Sequence, residues 1–194
     1  MLLGKLFDRG DHALAENNVS LNQFFTQRVF SNVVHGTKNP TYDSVIQRYI
    51  PEPENKDNGA LVSQIYTFMS KNHRNEYVYQ NTLFNTLLLE KHNLATTAAL
   101  AQLPIGKTKA DFITISSQAT VYEIKTELDS FDRLKTQLTD YYKAFDRVCL
   151  VTSKSNYKRA NTLLEGTPVG IYTLNHQNAI SSKLKKNPSL FTLI

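Results

Sequence analysis

Two acidic residues and a lysine lie in neighbouring segments that are rich in strand-forming residues. Asp111 begins the first segment, and Glu123 and Lys125 lie in the second. If the intervening turn is centred near Ser117, antiparallel pairing places residues whose numbers sum to about 234 opposite one another, so Asp111 faces Glu123. Lys125 follows Glu123 by two residues and projects from the same face of the strand. The spacing therefore predicts that two carboxylates and one ammonium group converge.

This combination suits a hard divalent cation and a phosphodiester. Carboxylate oxygens bind Mg²⁺ or Mn²⁺, a bound cation lowers the pKa of its water, and a lysine orients that water or neutralises developing charge. An acidic–any–Lys triplet alone is weak evidence, because one is expected about once by chance in a chain of this composition. Glu54-Asn55-Lys56 is a second example, in a segment that reads as a solvated loop. The matched position of Asp111 sets the triplet at Glu123 apart.

The next predicted helix carries two further polar side chains. Gln137 and Tyr141 are four residues apart and share one helix face, so they could hydrogen-bond a phosphate or position the lysine. In the alternative interpretation Tyr141 belongs to the apolar stripe of Leu134, Leu138 and Phe145, and Gln137 flanks that stripe.

The elements that must position these residues alternate between helix and strand. Their order predicts an α/β fold with a central mixed sheet flanked by helices. The predicted elements are a helix over 76–92, strands near 98–103, 111–115 and 120–125, a helix over 131–145, a strand over 147–152, a helix over 155–165 and a strand over 169–174. Pro104 and Gly106 are expected to end the first strand.

Composition divides the 194 residues into three parts. Residues 1–70 carry short helical patterns and predict an N-terminal helical extension, residues 71–180 form the core, and residues 181–194 read as a basic peripheral helix or arm. The net charge of +5 is −1 over residues 1–70 and +6 over the remainder. This excess favours a polyanionic partner.

Cysteine content and hydropathy exclude several classes of protein. The one cysteine, Cys149, excludes a disulfide framework and a cysteine-based zinc site. We find neither a signal-peptide pattern nor an apolar run long enough to span a membrane, so the expectation is a cytoplasmic protein with no membrane partner.

The sequence resembles the PD-(D/E)XK nuclease superfamily. The resemblance lies in the order of Asp111, Glu123-Ile124-Lys125 and the helix that carries Gln137 and Tyr141. The sequence is most similar to a small, largely uncharacterised bacterial branch with a Gln-x-x-x-Tyr helix. That branch has a leading acidic residue and an Arg-Leu-x-x-Gln motif, which are matched here by Glu76 and by Arg133-Leu134-Lys135-Thr136-Gln137. The resemblance covers about residues 74–175. It departs from the superfamily pattern at Ala110, where a proline often precedes the aspartate.

The resemblance implies a restriction-endonuclease-like core and a Mg²⁺- or Mn²⁺-dependent nuclease. Phosphodiester bonds, with DNA as the expected substrate, would be hydrolysed by a metal-activated water. The metal would be held by Asp111, Glu123 and the backbone carbonyl of Ile124, and Glu76 would hold metal-bound water or a second cation. The resemblance further implies that Lys125 positions the attacking water, while Gln137 and Tyr141 orient the site and contact the DNA backbone.

Two alternatives stay open at the level of sequence. Glu76 read by itself is an acidic residue at a helix N-terminus, which interacts favourably with the helix dipole without any catalytic role. The whole chain could also be a catalytically inactive nuclease-fold protein that binds nucleic acid, or a protein partner, in a larger assembly. Residues 1–70 or the tail could recruit another subunit, which would make this chain the nuclease part of a multi-protein system such as phage defence. Formation of a homodimer stays open as well.

Overall fold

The computed structural model describes residues 19–91 and 95–183. The chain divides between His73 and Arg74 into two compact units. In the described ranges no helix is both long enough and apolar enough to cross a membrane.

The first unit is helical where it is described. Asn39 caps one helix by accepting from the backbone N–H of Tyr42 at 3.0 Å, and Asp57 caps another by accepting from that of Ala60 at 2.8 Å. Its helical segments are residues 19–24, α1 (Gln27–Val34), α2 (Pro40–Tyr49), a 3₁₀ turn (Pro53–Asn55) and α3 (Asn58–Asn72). Phe24, Ile65 and Met69 are among its fully buried side chains. The predicted helical extension is confirmed over the described residues.

The second unit is built on one sheet. Its elements are α4 (Glu76–Leu83), a π-helix (Phe84–Lys91), β1 (Ala98–Ile105), β2 (Thr108–Ile115), β3 (Ala119–Lys125), α5 (Leu134–Tyr141), β4 (Arg147–Ser153), α6 (Tyr157–Leu163), β5 (Gly170–Leu174) and β6 (Ile180–Lys183). The six strands lie side by side in chain order. β1, β2 and β3 are antiparallel, β3, β4 and β5 are parallel, and β6 is antiparallel to β5. The predicted α/β fold with a mixed sheet is confirmed.

The β2–β3 register agrees with the predicted one. Phe112 pairs with Tyr122 and Ile113 with Val121, and both pairs sum to 234. β3 lies inside the sheet, and core clusters that include helix residues cover both of its faces. Val121 packs in a core cluster with residues of α5 and α6, whereas Tyr122 and Ile124 pack in a second cluster with residues of α4. Glu123 and Lys125 are therefore buried polar residues of a central strand.

Several predicted boundaries of helices and strands were wrong. The helix predicted over 76–92 is α-helical only to Leu83 and continues as a π-helix, because apolar spacing does not report which carbonyl each N–H contacts. β1 continues through Pro104 to Ile105, since an edge strand tolerates a residue that has no N–H to donate. α5 begins at Leu134 rather than near residue 131, where the hydroxyl of Ser130 accepts from the N–H of Asp132 and forms a competing turn. It ends at Tyr141 rather than at residue 145. α6 covers only Tyr157–Leu163 of the helix predicted over 155–165.

The tail is not wholly a peripheral helix or arm. Residues 181–183 belong to β6, which pairs along the edge of β5 and satisfies backbone groups there. The rest of the predicted basic tail, residues 184–194 with Lys185 and Lys186, lies outside the described residues.

Candidate active site

Glu123 is the centre of the candidate site. Its side chain is fully buried, and its carboxylate accepts three hydrogen bonds. Lys125 Nζ and Gln137 Nε2 donate to Oε1 at 2.7 and 2.5 Å, and the hydroxyl of Tyr141 donates to Oε2 at 2.6 Å. A buried charge without partners costs several kcal/mol, so these three donors are needed to stabilise the buried Glu123 carboxylate.

Helix α5 delivers two of these donors from one face. Gln137 and Tyr141 are one helical turn apart and both reach Glu123. The ring of Tyr141 is also part of the apolar core with Leu134 and Leu138, as the alternative interpretation predicted, whereas contact of its hydroxyl with a phosphate stays a prediction. Its hydroxyl lies 3.0 Å from the carbonyl oxygen of Lys109 as well, and burial together with the bond to Glu123 raises the pKa of Tyr141.

Tyr141→Phe is expected to lower the free energy of unfolding by about 1.5–3 kcal/mol, the scale of a hydrogen bond to a charged group. Urea unfolding measures this change. Tyr142→Phe is the matched control, because the hydroxyl of Tyr142 is buried without a hydrogen-bond partner among the described residues, and burial raises its pKa to about 12. Removing that hydroxyl should leave stability unchanged or raise it. Equal losses in the two variants would contradict the assigned bond to Glu123.

Asp111 lies beside Glu123 as the register requires. The described β2–β3 ladder ends at Phe112 and Tyr122, and beyond it Asp111 Oδ2 accepts from the backbone N–H of Ile124 at 2.8 Å. A side-chain bond thus continues the strand pairing and keeps the carboxylate next to Glu123. Burial and then the charges of Glu123 and Glu76 raise the pKa of Asp111 to about 8.

This shift predicts how the stability of the metal-free protein depends on pH. Between the ordinary aspartate pKa of 3.8 and about 8, the native protein holds a proton on Asp111 that the unfolded chain has released. Stability conferred by the protonated form is therefore present at low pH and lost as pH rises through this window, by on the order of a few kcal/mol. Unfolding in urea with a chelator, from pH 5 to pH 8.5, should show this decline and a shallower one in Asp111→Asn. A wild-type profile no steeper than that of Asp111→Asn would refute the prediction.

Glu76 is the first residue of α4, which Asn75 caps by accepting from the N–H of Val78 at 3.3 Å. Its Oε1 accepts from Gln80 Nε2 at 2.6 Å and from Gln102 Nε2. Gln80 Nε2 also lies 3.3 Å from the carbonyl oxygen of Asp111. Burial raises the pKa of Glu76, and nearby Asp129 and Glu123 raise it further. The structure therefore connects Glu76 to the same acidic cluster.

Sequence reasoning missed three residues around this cluster, namely Gln80, Gln102 and Asp129. Gln80 follows Glu76 by four residues, and that spacing was an available signal. Asp129 accepts from the N–H and hydroxyl of Thr126 at 2.9 and 2.7 Å, which holds the loop after β3. No sequence pattern marked Gln102 as a site residue, because nothing in its strand indicates that it reaches Glu76.

The carboxylates of this acidic cluster suit a cation that is bound by few protein ligands. Within residues 19–91 and 95–183, no three His, Cys, Asp or Glu side chains are grouped closely enough to hold a metal ion together. Mg²⁺ needs fewer protein ligands than three, since it is commonly bound by one or two carboxylates and keeps several water molecules. Asp111 Oδ1 and Glu76 Oε2 accept no hydrogen bond from any described residue, so hard oxygen ligands remain available in an acidic cluster. The ligand set of Asp111, Glu123 and the Ile124 carbonyl, with Glu76 through water, stays a prediction.

Comparison with known proteins identifies a family but no activity. No curated protein matches the chain. Among solved structures, it is similar to the SPO1766 protein of unknown function from Silicibacter pomeroyi, with 11% identity and a TM-score of 0.37 over 49% of this chain. The match covers 62% of that protein, which is less than two thirds of its length. The family model described as Bacteriophage P4 protein cII matches residues 69–191, more than half of the sequence, and the chain therefore belongs to the bacteriophage P4 protein cII family.

Proposed function

We propose that this protein is a metal-dependent nuclease that hydrolyses phosphodiester bonds, with DNA as the substrate. The observation that carries the proposal is the fully buried Glu123 carboxylate, which is held by Lys125, Gln137 and Tyr141 next to Asp111. Burying two carboxylates and a lysine together raises the free energy of the fold, and such groups cluster at functional sites. The resemblance of these residues to the PD-(D/E)XK superfamily supports the same activity.

A bound divalent cation would polarise the phosphate and increase the acidity of the attacking water. Asp111 and Glu123 would hold this cation. Lys125 is fixed 2.7 Å from Glu123 Oε1, so its ammonium group stays beside the acidic cluster and can neutralise charge that develops on the phosphate. Gln137 and Tyr141 fix the Glu123 carboxylate in one orientation.

In the proposed reaction the oxygen of water attacks phosphorus as the bond to the leaving ester oxygen breaks. The products are a phosphate monoester and an alcohol, and the proton that water loses balances the proton that the leaving oxygen gains. No oxidant or second substrate is required. The residues of this chain contribute position and charge, which are the main sources of rate enhancement in phosphoryl chemistry.

The test is cleavage of supercoiled plasmid, linear duplex, single-stranded DNA and RNA by the purified chain, with Mg²⁺, with Mn²⁺ and with chelator. Cleavage is expected with metal and not with chelator. Asp111→Asn should lose it, whereas the control Asp132→Asn, which changes an exposed residue of the turn before α5, should keep it. Equal cleavage by wild type and Asp111→Asn would indicate a contaminating nuclease and overturn the proposal.

One observation favours a second function, a non-catalytic nuclease fold that binds nucleic acid or a protein partner. Both oxygens of Glu123 already accept hydrogen bonds from protein donors, an arrangement that could replace a metal. Calorimetry with Mn²⁺ discriminates the two functions. Binding that is lost in Asp111→Asn supports the nuclease, whereas no Mn²⁺ binding together with retained DNA binding supports the second function. Association through residues 1–70 and homodimer formation stay predictions.

A further inference from the structure

Gln102 has an unusual backbone conformation inside a strand. Its φ is +58°, in the left-handed region that favours glycine, although it lies in the middle of β1. Its neighbours pair regularly, Ala101 with Phe112 and Leu103 with Ala110, but the described ladder omits the intervening pair of Gln102 and Asp111. This region is unfavourable for a non-glycine residue, which persists there only where the surroundings impose it.

The side chain of Gln102 reaches the candidate site. Gln102 Nε2 donates to Glu76 Oε1, an oxygen that also accepts from Gln80 Nε2 at 2.6 Å. Glu76 is thus held from two elements, by an amide of its own helix and by an amide of β1. Both bonds use one oxygen, and Glu76 Oε2 accepts none from the described residues.

We infer that Gln102 is a positioning residue, which orients the Glu76 carboxylate toward the cation site formed with Asp111 and Glu123. This inference rests on the proposed function. By engaging Oε1, the Gln102 amide limits rotation of the carboxylate and keeps Oε2 available to a hydrated cation. The strand conformation that brings the amide there is unfavourable for glutamine, which argues that the contact with Glu76, rather than the strand, accounts for the residue at this position.

Mn²⁺ binding by calorimetry, with activity measured separately, tests the inference. Gln102→Met keeps the length of the side chain but cannot donate, and it should bind Mn²⁺ about 10- to 100-fold more weakly, the effect of losing a hydrogen bond to a metal-site carboxylate. Gln102→Gly suits the backbone conformation and removes the amide, so it should show the same weaker binding without strain in the strand. Gln118→Met, an exposed change in the β2–β3 turn, is the control and should bind as wild type does.

A combined variant shows whether Gln102 acts through Glu76. Adding Gln102→Met to Glu76→Gln should weaken Mn²⁺ binding no further than Glu76→Gln alone. Wild-type affinity in both Gln102→Met and Gln102→Gly would overturn the inference while leaving the proposed function intact. Absence of Mn²⁺ binding in the wild type would overturn both, and Mn²⁺ binding without nucleic-acid cleavage would overturn the nuclease but not the positioning role.

Discussion

Asp111→Asn is expected to lower the rate of DNA cleavage by about 10²-fold or more, the scale on which one electrostatic contribution to a transition state is lost. The asparagine oxygen can still accept from the N–H of Ile124, so the strand pairing at this point survives. What disappears is the negative charge that a cation requires. In the metal-free protein the same change removes a buried carboxylate whose pKa is raised to about 8 by burial and by Glu123 and Glu76.

The variant should therefore lose activity and gain stability above pH 8 when no metal is present. Cleavage rates and urea unfolding on the same preparations measure the two effects. Added Mn²⁺ should stabilise the wild type and not Asp111→Asn, because a ligand stabilises only the state that binds it. Loss of cleavage accompanied by loss of stability at pH 8.5 would point to a structural role for Asp111 and contradict this prediction.

Glu123→Ala is expected to destabilise the protein by about 3–5 kcal/mol, because it leaves Lys125 buried without its counter-charge. Lys125 is only 8% exposed and its Nζ lies 2.7 Å from Glu123 Oε1. The hydroxyl of Tyr141 and the amide of Gln137 lose their acceptor as well. The double variant Glu123→Ala/Lys125→Met removes both charges and should recover a substantial part of the loss.

Unfolding of the wild type, both single variants and the double variant completes a double-mutant cycle for this pair. The pair of Asp140 and Lys143, 2.8 Å apart on α5 and the turn after it, is the comparison, because its lysine is exposed to solvent, and its cycle should show little coupling. Additive effects of the Glu123 and Lys125 changes would show that the two charges do not depend on each other. Because Glu123→Ala is expected to unfold easily, Asp111→Asn and not Glu123→Ala is the variant on which activity should be judged.

Much of the site was accessible from local pattern alone. Alternation with period two assigned Glu123 and Lys125 to one face of β3, and the structure agrees. The position of the turn fixed the β2–β3 register. These predictions succeed because a strand has a rigid repeat and a tight turn leaves little freedom in pairing.

Local pattern was less informative about helices. The apolar spacing located α4 and α5 but misplaced the end of the α-helix at Leu83 and the start of α5 at Leu134. Helix ends depend on which group satisfies each terminal N–H or carbonyl, and a side chain such as Ser130 decides this outside the periodic pattern.

The sequence by itself determined the α/β fold class, the hairpin register and the residue types available for metal chemistry. Only the tertiary structure decided that Gln137 and Tyr141 meet at Glu123 and that Gln102 reaches Glu76. The physical reason is sequence separation. Contacts within a hairpin follow from its own geometry, whereas partners on different elements meet only where the packing of helices on a twisted sheet brings them, and that packing also sets the burial that shifts the pKa of Asp111.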